Sequence, residues 1–180
     1  AKQRNRGGRQ EGYLIASHYE EIVAKQLFDG TTQLTKALRP LVEAAEVVGE
    51  HMHVVQLDAH PDLYPEYEGD RWSHACVAAR LLEMEHVASI TQIGIRTLNH
   101  PQAEVARRHP GRLAIAEARD LGCGSLLEAG DFPSALRPGS RVWLTIDLDV
   151  FDPAFAPGVA HPVPGGLLPR QVIELIQESG

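Results

Sequence analysis

The sequence predicts an α/β fold, a three-layer α/β/α sandwich with a mainly parallel sheet. Two observations carry that expectation. Short strands that are apolar on both faces, such as His53–Leu57 and Ser89–Ile95, alternate with segments of helical periodicity. Two of the strands end on an aspartate, at Asp58 and Asp147, and sites in such sheets form at the carboxyl ends of strands.

The elements follow in order. Residues 1–11 are polar and glycine-rich and are expected to be a flexible tail, with residues 12–180 forming a single α/β domain. Leu14, Ile15, Ile22, Val23, Leu27 and Phe28 suggest a helix over 13–28, which Asp29-Gly30-Thr31-Thr32 ends. Leu34, Leu38, Leu41, Val42 and Ala45 give a second amphipathic helix over 33–48. The β-branched run His53–Leu57 is a buried strand. A helix over 74–86, a strand over 89–95, a helix over 101–108 and strands over 112–115 and 141–146 complete the alternation, with loop and short helix over 120–140. Four prolines and three glycines make 152–166 an ordered loop before a last helix at 169–178.

Composition narrows the function classes. The chain has 180 residues, 43% hydrophobic and 23% charged, with a formal net charge of -7. That balance argues against a nucleic-acid binder, which needs a basic face. No apolar run reaches the ~18 residues of a membrane span. The basic start, with Lys2, Arg4, Arg6 and Arg9, lacks the apolar stretch of a signal peptide. Cys76 and Cys123 form neither a disulfide framework nor a CxxC zinc pattern, so a cytoplasmic setting is expected.

The chemistry sits in two clusters. In an extended segment, residues two apart share a face, so Asp58, His60 and Asp62 are expected to converge; Asp147 and Asp149 do the same after the fourth strand. Asp152, next to Pro153, reads as a turn residue. Like charges ~4 Å apart in a partly buried crevice repel by several kcal/mol, so protons or cations must neutralise them. These five ligand-grade side chains exceed one tetrahedral ion and suit two ions ~3.5–4 Å apart. Carboxylates with one imidazole favour Mn2+, with Zn2+, Co2+ or Fe2+ compatible by ligand type.

In these blocks the sequence resembles the arginase/agmatinase (ureohydrolase) family. The matching motifs are Asp58-Ala59-His60-Pro61-Asp62, Ser73-His74-Ala75-Cys76, Gln92-Ile93-Gly94-Ile95-Arg96, Asp147-Leu148-Asp149-Val150-Phe151-Asp152-Pro153 and the loop Pro157–Gly166. The resemblance covers roughly residues 50–178, and Tyr67-Glu68-Gly69 before Ser73-His74 looks more like agmatinases than arginases. It implies a manganese-dependent C–N hydrolase that releases urea from agmatine or a related guanidino compound by attack of a metal-bridging hydroxide. Asp58 and Asp147 would bridge the two Mn2+ ions, His60 and Asp149 would complete one site, Asp62 would belong to the other, and His74 would transfer protons. It also implies a homo-oligomer, a trimer or hexamer, with a small-molecule substrate and no nucleic-acid or membrane partner.

The sequence departs from the family at two places. The family's upstream Gly-Gly-Asp-His block has no counterpart; by position its place falls on Asp29-Gly30-Thr31-Thr32. The strand and guanidinium-binding acid that follow in the family lie past Gly180, which suggests a fragment or shortened homologue. These departures motivate an alternative, a catalytically impaired or regulatory ureohydrolase-like protein. A Mg2+ phosphohydrolase built on Asp147 and Asp149 is a third reading, against which the imidazole of His60 argues. His161 is expected to shape its loop beside the site, with substrate contact as the alternative.

Overall fold

A computed structural model of the chain describes residues 51–124, 126 and 142–178. The expected tail and the helices over 13–28 and 33–48 lie outside the described residues, as does most of 120–140. Among the described residues four parallel strands form one sheet: β1 (Met52–Leu57), β2 (Val87–Ile95), β3 (Leu113–Glu117) and β4 (Val142–Ile146), in the order β3-β2-β1-β4. The chain winds outward from β1 through β2 to β3, then returns to place β4 on the other side of β1. That reversal makes the carboxyl ends of β1 and β4 a switch point, where neighbouring loops part and leave a crevice.

The two faces of the sheet are covered separately. Val54 and Ile90 point to one face and pack with Leu63, Ala78, Leu81 and Leu82. Val55, Leu57 and Ile93 point to the other and pack with Leu121, Val150, Leu167, Val172 and Leu175. Neighbouring residues of one strand serve opposite cores because side chains alternate across a pleated strand. The first core lies under α1 (Val77–Leu82) and α2 (His100–Arg107); the second lies under α3 (Ala118–Leu121) and α4 (Pro169–Glu178). This is the three-layer arrangement expected of strands that are apolar on both faces.

Boundaries differ in physically informative ways. The helix expected over 74–86 opens as a 3-10 turn, His74–Cys76, and ends at Leu82; the Glu83 and Met84 N–H groups donate to the Arg80 and Leu81 carbonyls and tighten its last turn, and the Met52 N–H bonds the His86 carbonyl. The helix α2 starts one residue early because Asn99 caps it, its side chain accepting from the Gln102 N–H. Residues 152–166 form no regular element, in line with their prolines and glycines. No helix among the described residues is long and apolar enough to cross a membrane.

Candidate metal centre

The first cluster begins where β1 stops. The Asp58 N–H still bonds the Ile93 carbonyl at 3.1 Å, extending the ladder by one residue. The chain then turns, because Asp58 Oδ1 accepts the His60 N–H at 2.7 Å, a local bond that competes with extended structure. Asp62 closes the turn with a left-handed φ of 49°. The extended segment expected from Asp58 to Asp62 is therefore absent, and Asp62 lies outside the group that Asp58 and His60 form with Asp149.

The second cluster is fixed to the first by backbone. The Asp147 N–H bonds the Leu57 carbonyl at 2.9 Å, so both aspartates leave the sheet at the same level. Asp149 lies in a 3-10 turn, Leu148–Val150, in which its own N–H bonds Asp147 Oδ1 at 3.1 Å. Its carboxylate crosses to the first loop. Asp149 Oδ1 accepts the Ala59 N–H at 3.0 Å, and Asp149 Oδ2 lies 2.9 Å from His60 Nδ1.

Asp58, His60 and Asp149 thus present one ligand atom each within 4.8 Å of one another. Asp58 and Asp149 are 5% and 6% exposed, so their charges are poorly solvated. Burial pushes the Asp58 carboxyl up to about 6, with Asp149 and Asp147 adding to the rise and its bond to His60 opposing it. Hydrogen bonds to Asp149 and Asp58 push His60 up to about 10 against the effect of burial. Burial also acts to raise Asp149, but the bonds from His60 and the Ala59 N–H outweigh it and leave Asp149 below its ordinary value. At neutral pH a proton on His60 holds the carboxylates together. Two carboxylates and an imidazole that need a positive charge between them fit a divalent cation such as Mn2+.

The other predicted residues are distributed around this triad. Asp62 is partly buried and stands outside the group of three; burial and the charge of Asp58 raise it well above the usual carboxylate range. Asp147 is more open to solvent than Asp58 and Asp149. His74 begins the 3-10 turn after the first loop, with its ring 6.0 Å from Tyr67 and stacked at 6.0 Å on His161. His161 in turn meets the His60 ring edge-on at 6.1 Å. The Pro/Gly loop therefore brings a third imidazole between the candidate ligand and the candidate proton carrier.

Asp152 performs the turn role read from Pro153. Its Oδ1 accepts the Ala154 N–H, and its Oδ2 accepts the N–H groups of Gly165 and Gly166 at 2.8 and 3.3 Å. Three residues with structural roles at the site were given no role from the sequence, although Gln92 and Arg96 lie in one of the matching motifs. Arg96 donates to the carbonyls of Gly94, Asp149, Val150, Phe151 and Val163, fixing the Asp149 turn against the Pro/Gly loop. Gln56 and Gln92, 5% and 0% exposed, lie in the interiors of β1 and β2. A strongly polar side chain inside an otherwise apolar strand was the available signal for both.

Comparisons with known proteins bear on the family and the fold. The profile described as "Arginase family" matches residues 36–180. The N(1)-aminopropylagmatine ureohydrolase of Thermus thermophilus is 37% identical over 142 residues, which is 77% of this chain and 45% of that protein. The arginase of Medicago truncatula is 34% identical over 140 residues, 77% of this chain and 40% of its own, and its solved structure superimposes with a TM-score of 0.64, covering 77% of this chain and 43% of that one. A triple mutant of the T. brucei arginase-like protein bound with Mn2+ is 26% identical, with a TM-score of 0.61 over 78% of this chain and 42% of that one. The chain spans less than half the length of these relatives.

Proposed function

We propose that this chain, which belongs to the arginase family, forms the metal-binding part of a manganese-dependent amidinohydrolase that releases urea from agmatine or a related guanidino compound. The observation that carries the reading is the convergence of Asp58, His60 and Asp149 within 4.8 Å at the switch point between β1 and β4. Asp147 and Asp62, on the same two loops, would extend this set to a second ion. When bound, the ions would supply a hydroxide from water at neutral pH. Asp58 and Asp149 would hold their oxygens fixed through the His60 and Ala59 N–H groups. His74, stacked on His161 at the edge of the triad, would carry a proton to the departing amine, since an imidazole can both accept and donate one.

Agmatine is favoured over arginine by the likeness of the Tyr67–His74 stretch to agmatinases and by the aminopropylagmatine relative. A homo-oligomer, a trimer or hexamer, belongs to the same proposal.

The test is metal content joined to turnover. The chain is saturated with Mn2+, desalted and analysed for bound metal, then assayed for urea from agmatine, 4-guanidinobutyrate and arginine. Two manganese per chain with urea from agmatine is the expected result. One ion and no urea would favour the catalytically impaired reading, which draws support from the three-residue group found among the described residues. No retained metal and no urea would overturn the hydrolase reading and likewise favour the impaired or regulatory one.

A further inference from the structure

Gln56 and Gln92 face each other across β1 and β2, paired in the register of the sheet. Both lie on the face that carries Val54 and Ile90, against an apolar core. Gln92 Nε2 donates to the Pro61 carbonyl at 2.6 Å and to Gln56 Oε1 at 2.9 Å. Gln56 Nε2 then donates to Asp58 Oδ2 at 2.8 Å.

The direction of this chain is dictated by chemistry. A carbonyl only accepts, so Pro61 must face the amide nitrogen of Gln92. The same nitrogen offers its second hydrogen to Gln56, which must answer with its oxygen. Gln56 is left with its nitrogen toward Asp58. The arrangement leaves the buried Gln92 Oε1 without a hydrogen-bond partner. An unpartnered buried oxygen is unfavourable, and two apolar side chains of similar size would fill these positions without it. Core packing therefore does not account for the pair, whereas delivery of a donor to Asp58 does.

We propose that Gln92 and Gln56 form a two-amide relay that aims Asp58 at the metal. They are positioning residues. Gln56 occupies one lone pair of Asp58 Oδ2, and the His60 N–H occupies one of Oδ1. The second lone pair of each oxygen would go to metal, that of Oδ1 in place of the His60 imidazole 3.7 Å away, which is the condition for one carboxylate to serve two ions. Gln92 is itself held in this orientation by the Pro61 carbonyl. The inference rests on the proposal that Asp58 binds metal.

The experiment measures Mn2+ affinity of the full chain by competition with a fluorescent chelator, beside the thermal midpoint of the metal-free protein. Loss of a group that orients a ligand weakens metal binding by about 10- to 100-fold, and that is expected for Gln56→Met. Gln92→Met acts through Gln56 and is expected to cost several-fold, and the double variant no more than Gln56→Met alone. Val54→Ala, on the same face but without contact to Asp58, lowers the midpoint and leaves affinity within twofold. Affinity within twofold for Gln56→Met, or losses in the two single variants that multiply in the double, overturns the relay. If Gln56→Met does not fold, unchanged affinity in Gln92→Met overturns it equally. A wild-type chain that binds no Mn2+ instead removes the metal reading itself.

Discussion

Metal binding should displace a proton from His60, and the displacement can be counted. His60 Nδ1 lies 2.9 Å from Asp149 Oδ2, and the bonds to Asp149 and Asp58 push the imidazole up to about 10. A ligand nitrogen must be free of its proton before a metal can use it. With the group at about 10, each pH unit below that value costs tenfold in apparent affinity, or about 1.4 kcal/mol. Raising the pH from 6 to 8 should therefore strengthen Mn2+ binding by up to about 100-fold, roughly 2.7 kcal/mol. The imidazole is 30% exposed, so solvent screening makes this an upper bound. Asp58, pushed up to about 6 by burial, adds a second proton only near and below that pH. The assay is titration calorimetry at one pH in buffers of different ionisation enthalpy, where the dependence of heat on buffer gives the protons released. About one proton per site is expected at pH 7.5, rising toward two near pH 5.5. His60→Asn should remove the proton seen at pH 7.5. Binding with no proton release at pH 7.5, and with affinity flat from pH 6 to 8, would refute the pairing of His60 with Asp149 as the metal's competitor.

The metal-free protein should lose stability as pH rises. His60, raised to about 10 from 6.5, contributes stability that is fully present below 6.5 and lost as pH climbs through about 10; Asp58, raised to about 6 from 3.8, loses its contribution between those values. A urea midpoint that rises between pH 6 and 10 would contradict this. Gly94 has φ +91°, and an added Cβ would lie 2.7 Å from Val150 Cγ2, so Gly94→Ala should cost about 2–4 kcal/mol in urea unfolding. Gly166→Ala should cost more, because the added Cβ would lie 2.4 Å from Asp152 N and 2.6 Å from Phe151 O, backbone atoms that yield less readily than a side chain. Arg96→Met should leave several carbonyls without their donor and cost about 3 kcal/mol or more, with Arg96→Lys recovering only part because an ammonium cannot reproduce the guanidinium fork. Asp147→Ala should abolish Mn2+ binding at both sites; two tightly bound ions in that variant would exclude a bridging role.

Sequence reading found what depends on local composition. Buried parallel strands are apolar on both faces, so β1 and β2 stood out as short β-branched runs, and the aspartates that ended β1 and β4 marked the carboxyl edge of the sheet. Spacing did not anticipate the turn before Asp62. Period-two spacing places Asp58, His60 and Asp62 on one face only if the segment is extended, and the bond from the His60 N–H to Asp58 Oδ1 turns the chain instead. The roles of Gln56 and Gln92 depend on cross-strand register, and that of Arg96 on the return of a loop from residue 163. Register and loop return are set by tertiary packing, and no periodicity in the sequence encodes them. His161 was legible as a histidine in a loop beside the site, but its stacking on His74 follows from the path of that loop, which Asp152 fixes through the Gly165 and Gly166 N–H groups.

The site owes its geometry to reciprocal bonds between two loops. The Leu57 carbonyl receives the Asp147 N–H, which sets the two aspartates level. From there each loop turns on its own carboxylate: Asp58 Oδ1 takes the His60 N–H, and Asp147 Oδ1 takes the Asp149 N–H. The turned loops then lock to each other, since the Ala59 N–H bonds Asp149 Oδ1 and His60 Nδ1 meets Asp149 Oδ2. A one-residue slip of β4 against β1 would send its side chains to the opposite faces and separate Asp149 from both partners. Strand register is therefore what converts two short acidic motifs, 89 residues apart between His60 and Asp149, into one charge-demanding crevice. It follows that stability of the β1–β4 pairing and affinity for a cation should vary together, and that substitutions inside β4 can weaken metal binding without touching a ligand.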